Sequence, residues 1–209
     1  MKLKKINNFK SWMDRMKAEG KIKSKYPPFK KDGNLAELIG VVLGDGHIRA
    51  YSRTEELSIF SNSNNSGFVN RYSKLVESIF CKKPVETQHS NKNCIRIRIY
   101  QKQISIRLGV PFSPHGNLKI VIPGWIISNK KYIVRYLRGL YEAEGSYSVH
   151  LPTYTYKVQF SNRNISMLEN VYELVSILGF HPHKSKNMIQ LSKKNEVLRF
   201  IKLIKFRKY

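Results

Sequence analysis

Two acidic residues, Asp45 and Glu144, stand at the same place in two short segments that match in residue type and in length. The first reads Leu38-Ile39-Gly40-Val41-Val42-Leu43-Gly44-Asp45-Gly46, and the second Leu137-Arg138-Gly139-Leu140-Tyr141-Glu142-Ala143-Glu144-Gly145. Each reads as a helix that ends in an acid and is followed by a glycine able to turn the chain. Gly40/Gly44 and Gly139/Ala143 are spaced four apart, which puts each pair on one helix face, where small residues permit close backbone contact with another helix. A glycine inside a helix costs about 0.5–1 kcal/mol relative to alanine. Taking that cost at matched positions implies that the two helices pack against each other. The two acids then emerge side by side at the foot of the pair.

A carboxylate at a helix C-terminus faces the negative end of the helix dipole, and a second carboxylate beside it adds like-charge repulsion. Divalent cations relieve both, and hard oxygen donors suit Mg²⁺, with Mn²⁺ as a substitute. Cations at a phosphate can polarise it, activate water and stabilise the leaving oxygen. The rest of the chain supplies the reason to expect a phosphate. Its 209 residues carry 38 Lys+Arg against 14 Asp+Glu, a formal charge of +24. That self-repulsion points to a polyanionic partner, and the spread of basic residues along the whole chain favours nucleic acid over a membrane surface. Paired acids on a polyanion-binding protein point to phosphodiester hydrolysis.

Other classes are disfavoured. Cys81 and Cys94 lack the spacing of a zinc site, and reduced thiols fit a cytoplasmic protein. No apolar run approaches the ~20 residues needed to span a membrane, and the basic N-terminus lacks a signal-peptide core. Neither a phosphate-binding Gly-Lys-Ser/Thr loop nor a Ser-His-Asp arrangement is recognisable. His115, His181 and His183 sit in or near loops without ligand spacing to a carboxylate, so surface or phosphate contacts suit them better than a metal.

The elements that must position the acids recur twice. Residues 1–34 form a basic helix (about 5–19, stopped by Gly20, with Lys4, Lys5, Ile6, Lys10, Arg15 and Lys17) and an irregular connector. Residues 35–110 run helix (34–44), strands (47–53 and 56–62), helix after the Asn64-Asn65-Ser66 cap signal, strands (85–90 and 94–100), short helix. Residues 111–130, with Pro111, Pro114, Gly116, Pro123 and Gly124, form a linker with a helical stretch near Trp125. Residues 131–209 repeat the order: helix (131–143), strands (146–151 and 155–162), helix, strands (181–186 and 188–193), basic helix. Two marks hold nearly one offset: Asp45-Gly46 to Glu144-Gly145, and Phe60-Ser61-Asn62-Ser63-Asn64 to Phe160-Ser161-Asn162-Arg163-Asn164. Paired marks argue for duplication.

On these residues the chain resembles the LAGLIDADG homing endonucleases in their single-chain, pseudo-symmetric, archaeal intron-encoded form. The resemblance covers about 35–209. Gly40, Gly44, Asp45 and Gly46 match the motif in one copy, and Gly139, Ala143, Glu144 and Gly145 in the other. Leu43 stands where the motif has its first Asp, and Glu replaces Asp at 144. The resemblance implies an α+β fold of duplicated αββαββα units, in which two antiparallel four-stranded sheets form a DNA-binding saddle around a central helix pair. It implies a monomer that cuts both strands of a long asymmetric DNA site. Asp45 and Glu144 would hold Mg²⁺ between the scissile phosphates, with Gly44 and Ala143 in the metal site. It also implies a basic or amide helper near the centre, for which Lys102 and Lys194, and after them Gln101 and Lys193, are the candidates; plain phosphate contact accounts for them equally well.

Strand alternation supplies a reading surface. In Cys94–Tyr100 the isoleucines 95, 97 and 99 face one side and Arg96, Arg98 and Tyr100 the other. His47, Arg49, Tyr51 and Arg53 share a parity, as do Lys157 and Gln159, and Gln190 and Ser192. Arginine is suited to bidentate contact with guanine. Two other functions on the same scaffold stay open: a maturase that binds intron RNA for splicing, and a binding protein without chemistry.

Overall fold

The computed structural model describes residues 8–21, 26–88, 93–112 and 118–209. Lys4, Lys5, Ile6, Pro114, His115, Gly116 and the last two residues of the expected strand at 85–90 lie outside the described residues.

Asp32 starts α2 (Gly33–Asp45) by accepting the Leu35 N–H at 3.0 Å, and Asn129 does the same for α6 (Lys130–Glu144) through the Lys131 N–H at 2.9 Å. Such caps satisfy donors that the first turn leaves free. Every α2 residue from Leu35 to Leu43 is buried, so this helix is the centre of the molecule. It lies along α6 at the expected notches. A Cβ on Gly40 would strike the Tyr136 carbonyl, one on Gly139 the Glu37 carbonyl, and one on Gly44 the Ala143 Cβ. Glycines 46 and 145 have φ of −91° and −89°, so no left-handed turn is made. They are needed for closeness instead: a Cβ on either would strike the Val42 or the Tyr141 carbonyl. Each acid is thus the last residue of a helix that runs straight into a strand.

Two four-stranded antiparallel sheets follow, one per half. The first orders as β1 (Gly46–Ala50), β2 (Glu55–Asn62), β4 (Cys94–Gln101), β3 (Val85–Gln88). The second orders as β5 (Gly145–His150), β6 (Thr155–Ser161), β8 (Met188–Leu191), β7 (His183–Ser185). β1 is shorter than expected because Tyr51 N–H bonds the Thr54 carbonyl at 2.8 Å and closes the hairpin there. The registers match: Gly46 pairs Ile59, which pairs Ile97, while Gly145 pairs Phe160, which pairs Ile189. Phe160 is therefore equivalent to Ile59, not to Phe60 as the shared letters suggest. Phe160 is in the core, whereas Phe60 lies half-buried on the opposite face, the consequence of a one-residue slip in a period-2 strand.

Helices α3 (Ser66–Phe80) and α7 (Ile165–Ile177), capped by Asn65 and Asn164, cover the core side of each sheet together with α4 (Ile104–Leu108) and α8 (Lys194–Ile204). Phe200 of α8 packs edge-on against Tyr141 and Phe180, with ring centroids 5.0 and 5.2 Å away. The described part of the linker is fixed in place. Ile120, Ile122 and Ile126, the last in α5 (Gly124–Ile127), are buried, and Asn170 donates to the Ile120 carbonyl at 2.9 Å.

The halves are also tied by charge. Glu37 of α2 is fully buried and accepts from Arg71 of α3 at 2.6 and 2.8 Å and from Arg135 of α6. Arg138 lies 3.6 Å from the same carboxylate. A buried carboxylate is tolerated only with such pairing. The first helix, α1 (Asn8–Ala18), ends at Gly20, whose φ of +70° is the left-handed stop that glycine favours. It meets the tip of the β1–β2 hairpin, where Arg53 lies over the Phe9 ring at 5.4 Å.

Candidate active site and nucleic-acid interface

The contact between Gly44 and Ala143 puts the two acids next to each other. A Cβ built on Gly44 would also stand 3.3 Å from the Glu144 Cγ. Both acids are partly buried at the helix feet. Burial first, and then the negative charge of Glu144, pushes the Asp45 carboxyl up to about 7, and burial raises Glu144. The pair is therefore poorly satisfied as two bare carboxylates, as the helix dipole and like charge require. They differ in surroundings. Asn162 points its amide at Glu144 Oε1, 3.4 Å away, at the rim of a cavity of about 500 Å³ lined by Glu144, Ser161, Asn162, Arg163 and Asn187.

Among the described residues no group of three or more His, Cys, Asp or Glu side chains gathers anywhere. A cation here would have two carboxylates, nearby backbone carbonyls, water and ligand oxygens. That donor set fits Mg²⁺, which keeps several waters and is held by one or two carboxylates plus phosphate.

The sheets extend outward from this point on either side. In the first, His47, Arg49, Arg96 and Arg98 lie on the face opposite the buried Ile48, Leu57, Ile59, Ile97 and Ile99. The Arg49 guanidinium sits over the Tyr51 ring at 5.2 Å and that of Arg98 over Tyr100 at 5.4 Å. Arg53 stands at the hairpin tip. In the second, Lys157 and Gln159 lie opposite the buried Val158 and Phe160. Gln159 donates to Gln190 at 2.6 Å, and Gln190 to Ser192 at 2.5 Å, so three of the expected contact residues form one amide ladder.

The expected basic helpers are not drawn to the acids. Gly46 shares its row with Ile97, and β4 runs away from that row for four residues, about 13 Å, before Lys102 follows Gln101. Gln101 is buried and accepts from Arg107. Lys194 starts α8 with its ammonium over the Tyr156 ring at 4.9 Å, and Lys193 lies 3.7 Å from Glu196. His181 shares that carboxylate at 3.0 Å. The polar group beside an acid is Asn162, a residue noticed only as part of the repeat.

Residues 131–209 match the family model of the LAGLIDADG-like domain. No curated protein sequence matches the chain. Among solved structures it is similar to mesophilic variants of the homing endonuclease I-DmoI, with 17% identity, TM-score 0.55, and 82% of this chain covering 94% of that one. I-DmoI in complex with DNA and Mn matches at 16% identity and TM-score 0.54, with 82% and 96% of the two chains covered. The N-terminal LAGLIDADG domain of DUF199/WhiA matches at 16% identity and TM-score 0.55, with 88% and 87% covered. The family match thus falls on the second half, and the two halves together have the fold of the single-chain LAGLIDADG homing endonucleases.

Proposed function

We propose that this chain is a divalent-metal-dependent endonuclease that acts as a monomer and cuts both strands of a long, asymmetric DNA site. The observation that carries the proposal is the pair Asp45 and Glu144: adjacent, partly buried, raised toward protonation, and placed between two sheets. The similar I-DmoI structures in complex with DNA and with Mn or Ca support it.

In this proposal Asp45 and Glu144 hold Mg²⁺, with the backbone of Gly44 and Ala143 lining the site. The metal supplies charge neutralisation at the phosphate and a more acidic water. Asn162 fixes the Glu144 carboxylate, the helix contact sets the spacing of the two acids, and the sheets hold the duplex. The test is selection of cleaved duplexes from a randomised library with Mg²⁺, repeated with Asp45→Asn and Glu144→Gln. The expected result is cutting by the parent chain and loss of cutting with retained binding in both variants. Cutting at parental rate by either variant overturns the proposal; a parent that binds but never cuts makes the chain a binding protein on this scaffold.

A further inference from the structure

On the first sheet a carboxylate is set among arginines, where phosphates would be repelled by it. Glu56 lies in β2 between Arg49 of β1 and Tyr100 of β4 in one cross-strand row. It is 4% exposed. Ser58 Oγ donates to its Oε1 at 2.7 Å, Tyr51 Oη to its Oε2 at 3.1 Å, and Arg96 Nη1 stands 3.7 Å away. The Tyr100 hydroxyl donates as well. The two tyrosines in turn carry Arg49 and Arg98 on their rings. One carboxylate therefore holds the sheet's outward arginines, one directly and two through an aromatic ring.

Arg96 is reached along the strand, not across it. It pairs Phe60, and Glu56 is four residues further along β2, about 13 Å between rows. The Arg96 side chain thus lies lengthwise on the sheet, past Ser58 and Arg98. The Nε of both Arg96 and Arg98 is buried without a partner. An unpaired buried donor is a cost in the free protein, so the arrangement is kept by the contacts to Glu56 and to the tyrosine rings. Guanine presents two acceptors in the major groove, the pattern that an arginine fork fits.

We propose that Glu56 is a positioning residue for base recognition, setting Arg96, Arg98 and Arg49 against guanine-bearing base pairs in the half of the target that the first sheet covers. This rests on the endonuclease reading for its ligand. It does not rest on the chemistry at the acids. Its function is ordering: an arginine already held in one arrangement loses less freedom on docking, and wrong bases leave the held fork unmatched.

The test is binding selection from a randomised duplex DNA library in Ca²⁺, which reads recognition without cutting, on the whole chain and on Glu56→Gln. The expected result is a parental melting temperature but about tenfold weaker discrimination at the base pairs under the first sheet. Arg96→Ala should lose discrimination at those same positions, and positions under the second sheet should be unchanged. Tyr51→Phe, at the exposed rim, should give a smaller loss in the same place. An unaltered profile in Glu56→Gln, or a loss spread over both halves with a lowered melting temperature, overturns the assignment. A parent that enriches no sequence overturns this inference and its ligand together, whereas one that selects sequence in Ca²⁺ but does not cut the selected duplex in Mg²⁺ supports the recognition and removes only the nuclease chemistry.

Discussion

The two halves share a register but not a surface. The row next to the acid reads His47, Ser58 and Arg98 in the first sheet, and Ser146, Gln159 and Gln190 in the second. One face is charged, with arginines held on tyrosines around a buried carboxylate. The other sets Lys157 beside a ladder of Gln159, Gln190 and Ser192 whose members satisfy each other. Duplication preserves what packing requires, namely the core positions and the helix notches, and leaves the outward parity free to diverge. An arginine fork suits guanine and a paired amide suits adenine, so a pseudo-symmetric scaffold can read an asymmetric site. The acids differ in the same way: Glu144 has an amide beside it, and Asp45 is the more strongly shifted of the two.

The largest effect should come from the acids. Asp45→Asn and Glu144→Gln should each abolish double-strand cutting while leaving duplex affinity within a few-fold. Mg²⁺ should also raise the melting temperature of the parent, because a ligand that binds only the folded state stabilises it. Neither variant should show the full Mg²⁺ shift. An equal shift in all three would place the metal elsewhere.

Next comes the element both halves share. A methyl on Gly139 meets backbone on α2 from two sides, the Glu37 carbonyl and the Val41 N–H, so no flexible side chain can give way. Gly139→Ala should cost about 1–3 kcal/mol or more by urea unfolding, the range for overpacking. Ala143→Gly, at the other end of the same notch, should cost only about 1 kcal/mol through helix propensity. A reversed order would mean that the two helices can separate without penalty.

The third test weighs the asymmetry at the acids. Asn162→Ala removes the group that orients Glu144 and should weaken Mg²⁺ affinity or cleavage by roughly 10–100-fold, the usual cost of losing a supporting contact to a metal ligand. Asn62→Ala, on the first half, should do less. Asn62 and Asn162 both accept at Oδ1 from the N–H two residues on, at 2.9 and 2.8 Å, but of the two it is Asn162 whose amide N–H also reaches an acid. Equal losses would erase the difference between the two acid sites.

What the sequence revealed and concealed follows from the physics of each feature. Gly40, Gly44, Gly139 and Ala143 were legible because small residues at helical spacing have few uses besides close packing. The isoleucines of β4 were legible because a half-buried strand alternates. The letters Phe-Ser-Asn misled by one residue: a shared string marks common origin, but only pairing to Gly46 and Gly145 fixes which face each residue takes. Asn162 was hidden inside that string. Glu56 was hidden because an acid on a polar strand face looks like an ordinary solvated charge, and only cross-strand neighbours reveal that it is enclosed. Matching Lys102 to Lys194 agreed with the register, yet equivalence says nothing of direction, and β4 runs away from the row that holds Gly46.

That direction makes the smallest prediction. If Lys102 stood at the acids, Lys102→Ala would lower the cutting rate at saturating DNA; at the outer end of β4 it can only touch backbone. Its loss should leave the rate nearly unchanged, weaken binding to target and random duplex alike, and reduce the log-log salt slope by about 0.9 if it neutralises one phosphate. Gln190→Ala should do the opposite on the second sheet: an unchanged salt slope, with discrimination lost at the base pair it faces. The two variants separate charge that holds the duplex from amides that read it. A large rate loss in Lys102→Ala would show that the outer strand ends close over the acids when DNA binds.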